Sequence, residues 1–285
     1  MNILVTGAKG QLGQELQHLP QTDGVNYFFT DVEDLNITDF GCVEKFVGEH
    51  KINVVINCAA YTDVAKAEKE NEKAEVINVL AVANLSKVAK NNDITLIHIS
   101  TDYVFGGNHT STPLKEEDTT NPQCVYGRTK RDGELAVLQS GCKHIIIRTS
   151  WLYSSYGNNF VKNILRLSQE RDAINVVYDQ VGTPTYARDL ALVIKMIVES
   201  ELIEKQGVYH FSNEGAISWY DFAKAIIELS GNKCNITPCK TEDFGNSVMR
   251  PHYSVLDKTK IKEALGMSIP YWKDSLKECL SKING

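Results

Sequence analysis

Tyr126 and Lys130 stand four residues apart in the run Val125-Tyr126-Gly127-Arg128-Thr129-Lys130. On a helix that spacing puts both side chains on one face. An ammonium beside a phenol favours the tyrosinate and lowers the phenol's pKa towards neutrality. Tyr126 then becomes a general acid for an oxygen on which negative charge develops. The spacing is common, and a surface tyrosine beside a solvated lysine would look the same. Thr101 adds a short hydroxyl able to bond a substrate oxygen. It ends the run Ile99-Ser100-Thr101 and precedes Asp102-Tyr103-Val104-Phe105.

A second cluster lies at the start of the chain, in Thr6-Gly7-Ala8-Lys9-Gly10-Gln11-Leu12-Gly13. It follows a strand-like run and opens a helical one, the setting in which glycines hold a pyrophosphate. Gly7 permits a tight turn, Gly10 lets backbone N–H groups approach the anion, and Gly13 lets the helix pack on the strand. Asp31 falls 18 residues after Gly13, at the end of the next apolar run. A carboxylate there accepts from a ribose diol and repels a 2′-phosphate. That favours NADH over NADPH, although Lys9 could accommodate the extra phosphate. The small residues Ala59 and Ala60, in Asn57-Cys58-Ala59-Ala60-Tyr61, leave room for a cofactor backbone.

These residues need a scaffold that brings them to one crevice. Short runs at 3–6, 27–30, 54–57, 96–99 and 144–148 are apolar on both faces, as strands buried in a parallel sheet are. Helical stretches alternate with them: 11–18, 39–49 with Thr38 before it, 71–90, and a run from 125 through 138. The alternation predicts an α/β fold, a Rossmann-type doubly wound parallel sheet. Residues 1–150 form the dinucleotide-binding domain, joined by parts of 173–205. After Trp151 the rhythm loosens. Helices are expected at 158–170, 187–200, 219–229, 258–265 and 272–283, strands at 174–178 and 208–211, and a looser region from 231 to about 255. Most of 151–285 is read as a smaller C-terminal α/β lobe that binds the substrate.

Composition narrows the partners. Thirty basic against 36 acidic side chains leave a net charge of −6, with no bulk attraction for nucleic acid or an anionic membrane. No apolar run approaches membrane-spanning length. Met1 leads directly into a strand-like run without a secretory pattern, and the seven scattered cysteines read as reduced thiols. Cys234 and Cys239 have no matching His/Cys pair, so no metal site is expected. The expected location is the cytoplasm.

The glycine loop, with its Gly-x-x-Gly-x-x-Gly spacing, residues 57–61, residues 100–105 and the Tyr126/Lys130 pair together resemble the extended short-chain dehydrogenase/reductase superfamily. Within it the chain is similar to reductases that act on 4-keto-6-deoxy sugars carried by dTDP. The segments behind that closer likeness are 60–68, Arg148-Thr149-Ser150-Trp151, Gly157-Asn158-Asn159-Phe160, 179–185 and Arg250-Pro251. The resemblance implies Tyr126 as proton donor, Lys130 as its partner and Thr101 as the residue positioning the keto oxygen. It implies a cofactor, NADH or NADPH, lined by Gly7, Gly10, Gln11, Leu12, Gly13, Asp31, Leu35, Asn36, Ala59, Ala60, Tyr61, Tyr126 and Lys130. Thr101, Asp102, Tyr103, Trp151, Asn159 and Arg250 would meet a sugar nucleotide. Asn36 replaces an aspartate common in relatives. Some relatives form a magnesium-linked dimer through C-terminal acids. This tail has none beyond Glu278, so a monomer or weak homodimer is expected. Two rivals stay open. One is a sugar-nucleotide dehydratase or epimerase, although Tyr103 stands where dehydratases place a second carboxylate. The other is a non-catalytic regulatory subunit like that of methionine adenosyltransferase.

Overall fold

The structure, a computed structural model, describes residues 1–107, 110–245 and 248–284. In chain order the first half contains β1 (Asn2–Thr6), α1 (Gln11–Gln17), β2 (Asn26–Thr30), α2 (Phe40–Glu49), β3 (Val54–Asn57), α3 (Val64–Ala67), α4 (Asn71–Glu75), α5 (Ala81–Asn91), β4 (Thr95–Thr101), α6 (Val125–Ser140) and β5 (Lys143–Thr149). The second half adds β6 (Leu152–Tyr153), α7 (Phe160–Glu170), β7 (Ala173–Val177), β8 (Val181–Gly182), β9 (Thr185–Tyr186), α8 (Ala187–Val198), β10 (Gly207–His210), β11 (Ile217–Ser218), α9 (Trp219–Ser230), β12 (Asn235–Cys239), α10 (Thr259–Leu265) and α11 (Trp272–Asn284).

Six strands form one sheet in the order β2-β1-β3-β4-β5-β10, each neighbour parallel. Alternate residues of each strand face opposite layers, which explains the continuous apolar runs. Ile3 and Val5 pack under Leu12 and Leu16 of α1 and Leu190 and Ile194 of α8. Leu4, Val55 and Leu96 pack against Val43, Leu85 and Val88 on the other side. The chain leaves β1 for one edge, then returns past it to β3. That reversal opens a crevice at the C-terminal strand ends.

The fold is the α/β doubly wound sheet expected, with three local differences. The sixth strand, β10, joins the main sheet beside β5 although the sequence grouped it with the C-terminal lobe. Tyr209 and Phe211 belong to the same buried cluster as α8 and Ile261 of α10, so burial draws that segment home. Second, the expected helix over 71–90 contains a π-helical turn, Val76–Leu80. Gly133 of α6 approaches so closely there that a Cβ would stand 2.2 Å from the Asn78 carbonyl oxygen. Third, the loose region holds β12, which pairs only with β7. Pro238 sits within it, and an edge strand tolerates the donor a proline lacks. Asp39, where that helical stretch was expected to start, caps α2: its side chain accepts from Cys42 N at 3.0 Å. The C-terminal lobe has its own core around Tyr153, Ile164, Phe222, Ile226 and Leu276.

Candidate active site

A cleft of about 820 Å³ runs from the glycine loop across the strand ends to the C-terminal lobe. That volume suits a cofactor together with a substrate. Gly7 has φ +67, and a Cβ on it would lie 2.7 Å from Ala59 N. A Cβ on Gly13 would lie 2.5 Å from the Gly7 carbonyl oxygen. Side chains are therefore barred where loop, helix and β3 meet. Gly10 begins α1 without a side-chain cap, leaving the helix N-terminus open to an anion. The chain's own residues thus fit a dinucleotide's pyrophosphate.

Asp31 sits at the end of β2. Its Oδ2 accepts from Lys9 N at 2.8 Å and its Oδ1 from Val32 N at 2.8 Å. Lys9 Nζ turns away to Glu33 Oε2 at 2.7 Å. Leu35 is buried at the cleft, and Asn36 accepts from Thr38 N and Oγ1, closing a local turn.

The proton pair lies on α6. Cys124 begins that helix, its Sγ accepting from Gly127 N at 3.4 Å. Tyr126 and Lys130 both line the cleft beside Thr101, and the Tyr103 and Tyr126 rings meet edge-on at 5.4 Å. Thr101 Oγ1 donates to Asp102 Oδ1 at 3.1 Å and accepts from Tyr103 N at 3.2 Å. Lys130 Nζ donates to the Ile99 carbonyl at 2.7 Å, and His98 Nε2 is 3.4 Å away. Burial pushes the Tyr126 phenol well above its ordinary value, only partly offset by the Thr101 hydroxyl. The lysine was expected to pull that phenol down; desolvation dominates instead. The protonated phenol that results suits a donor. Burial lowers Lys130 to about 8, against the opposing pulls of Glu134 and Cys58.

The far wall comes from the C-terminal lobe. Trp151 adopts a left-handed backbone, φ 49, and its ring stacks on Trp219 at 3.6 Å. Both indoles line the cleft with Arg250, whose Nε is buried without a hydrogen-bond partner. Asn159 caps α7 through Lys162 N and donates to Gln11 Oε1 at 3.0 Å, tying this lobe to the glycine loop.

Of the residues expected at the site, Tyr61 alone stands outside the lining. Its hydroxyl donates to Glu70 at 3.0 Å and its backbone is held by the Asn78 carboxamide. Sequence reasoning missed Trp219, His98 and Asn78. A capping box, Ser218 with Asp221, marks the helix start beside Trp219 but says nothing of which wall it joins. Among the described residues, no cluster of three or more His, Cys, Asp or Glu side chains could hold a metal, and no helix is long and apolar enough to cross a membrane. All seven cysteines are free.

A dinucleotide cradle at a doubly wound sheet's switch point, with a tyrosine and lysine one turn apart at its far end, defines a short-chain dehydrogenase-type oxidoreductase site. The model of the RmlD substrate binding domain family matches residues 1–284, and the chain belongs to that family. It is 41% identical to the dTDP-4-dehydrorhamnose reductase of Aggregatibacter actinomycetemcomitans, covering 96% of this chain and 97% of that one. A crystal structure of a dTDP-4-dehydrorhamnose reductase from Clostridium acetobutylicum superposes with TM-score 0.94 at 43% identity over all of both chains. The corresponding Bacillus anthracis protein, solved in complex with NADP, gives TM-score 0.93 at 38% identity over 99% of each chain.

Proposed function

We propose that this chain reduces the 4-keto group of dTDP-4-dehydro-β-L-rhamnose to dTDP-β-L-rhamnose with NADPH or NADH. The observation carrying that reading is the convergence of Thr101, Tyr126 and Lys130 on one end of a cleft whose other end is the glycine cradle. The dihydronicotinamide, when bound, supplies the hydride. Tyr126 gives its proton to the sugar oxygen as charge develops, and a phenol raised by burial is fully loaded for that step. Thr101 positions the oxygen, and Lys130, close to half-protonated near pH 8, exchanges the proton. Trp151 and Trp219 offer an apolar face to the sugar, and Arg250 offers charge to the diphosphate. Tyr103 where elimination would require a carboxylate supports reduction over dehydration.

Asp31 lines the cleft after β2, and a carboxylate there accepts from a ribose diol and repels a 2′-phosphate, which favours NADH. Lys9, drawn to Glu33, is not free to reward a 2′-phosphate. Residues 1–150 with parts of 173–205 serve as the dinucleotide-binding half, and most of 151–285 as the substrate half. A cytoplasmic monomer or weak homodimer belongs to the same reading, and the free thiols are compatible with a reducing compartment. The test is to supply dTDP-4-keto-6-deoxy-L-mannose with NADH and then NADPH, following nicotinamide absorbance and identifying the sugar. Oxidation of both, with NADH giving the higher kcat/KM and a dTDP-L-rhamnose product, is expected. No oxidation with either sinks the proposal.

A further inference from the structure

Behind Lys130 runs a row of buried polar groups. Thr6 Oγ1 donates to Asn57 Oδ1 at 2.7 Å, and Ala59 N donates to the same oxygen at 3.2 Å. Asn57 Nδ2 is 3.1 Å from His98 Nδ1, and His98 Nε2 is 3.4 Å from Lys130 Nζ. Thr6, Asn57, His98 and Lys130 are each no more than 2% exposed.

The row fixes where the imidazole proton resides. A backbone N–H can only donate, so the Asn57 atom facing Ala59 is oxygen. The atom facing His98 is then nitrogen, again only a donor. His98 Nδ1 must accept, and burial together with the lysine's charge keeps the ring neutral. A neutral imidazole with a bare Nδ1 carries its proton on Nε2, aimed at Lys130. That N–H can donate to a free amine, whereas an ammonium has only donors to set against it. The row ends at buried Thr6, so it is a lock and not a proton wire.

We propose that His98 is a positioning residue for Lys130: held by Asn57 as the Nε2–H tautomer, it favours the lysine's neutral amine over its ammonium. The inference rests on Lys130 being the proton partner of Tyr126. The other groups facing Lys130 are Cys58, just after β3, the Ile99 carbonyl from β4, and Glu134 on α6 itself. Arg148 of β5 holds Glu134 at 2.7 Å and Ser100 donates to it at 2.5 Å, so that carboxylate is largely committed elsewhere. His98 is the neighbour whose hydrogen-bond sense decides the balance.

The test is NMR on the full-length chain. With ¹⁵N-labelled histidine, His98 is expected to show a bare Nδ1 and a protonated Nε2 throughout about pH 6 to 9. A protonated Nδ1 overturns the proposal. With ¹³Cε-labelled lysine, assigned by loss of the signal in Lys130→Met, the Lys130 titration midpoint can be followed in variants. Asn57→Asp gives His98 Nδ1 an acceptor, moves the proton onto it and leaves Nε2 bare to accept from the ammonium. The midpoint is expected to rise by about one pH unit or more. Part of that rise would come from the new charge alone, so the same change is repeated in His98→Gln, which has no tautomer to switch. There the rise is expected to fall to less than half, and an equal rise in both backgrounds overturns the proposal. If Asn57→Asp does not fold, the tautomer measurement on the native chain still decides. None of these signals needs turnover, so failure of the assigned reaction and failure of the lock are separately visible.

Discussion

The two walls of the cleft are built on opposite terms. On the wall from β1, β3, β4 and α6, the polar groups are wired to one another: Thr6 to Asn57, Asn57 to His98, Lys130 to Ile99, and Glu134 to Arg148 and Ser100. Across from it, Arg250 Nε is buried with no hydrogen-bond partner among the described residues, and Trp151 is held in a left-handed backbone against Trp219. Leaving a buried polar atom unmatched costs about 1–3 kcal/mol. At Arg250, which lines the cleft, an incoming ligand can supply the missing partner. The first wall's polar groups are matched within the fold; the second leaves Arg250 Nε unmatched in the cleft.

The sharpest way to break the contrast is Tyr126→Phe. Only the hydroxyl is lost, so on the proposed mechanism kcat is expected to fall by roughly 10²–10⁴-fold. KM and melting temperature are expected to stay near native values. A variant with intact kcat and a raised KM would make Tyr126 a binding residue and erase the distinction between the walls.

Arg250→Leu probes the opposite wall. The KM for the sugar nucleotide is expected to rise about 10- to 100-fold, with kcat little changed, as when binding shared by ground and transition states is removed. Affinity for the nicotinamide nucleotide, measured by calorimetry, is expected to be unaffected. An equal loss for both ligands would mean that Arg250 serves the whole cleft and that the two walls are not separately built.

The first wall was the more legible in the sequence. Its strands are apolar on both faces, its glycine loop is contiguous, and Tyr126 and Lys130 are near neighbours on one helix, so local patterns carried most of the information. What escaped was set by packing between distant segments. Lys130's amine finds Ile99 and His98, and burial sets the Tyr126 phenol, neither of which spacing along α6 can reveal. The π turn at Val76–Leu80 depends on Gly133, far along the chain, coming against Asn78. The second wall draws Trp151, Trp219 and Arg250 from segments with no shared pattern. The sequence offered Trp151 and Arg250 through resemblance and Trp219 not at all.

The smallest expected effect is a pH dependence at Asp102, which follows Thr101 at the end of β4. Burial raises the Asp102 carboxyl from 3.8 to about 6. A carboxyl whose folded pKa exceeds its unfolded one favours the fold while protonated. Its contribution is present below about pH 4 and is lost as pH rises through about 6. Asp102→Asn keeps the shape and removes the titration. The variant is therefore expected to gain stability relative to the native chain between those limits, and to hold the gain above them. The gain should be on the order of 1 kcal/mol, smaller than the full shift implies because the cleft admits water. Melting temperature against pH for both chains measures it. A pH-independent difference would mean that Asp102 already has its partner in the ligand-free fold. Asp102, beside Thr101 at the end of β4, would then belong with the other matched groups of the first wall, and the contrast with Arg250 across the cleft would sharpen.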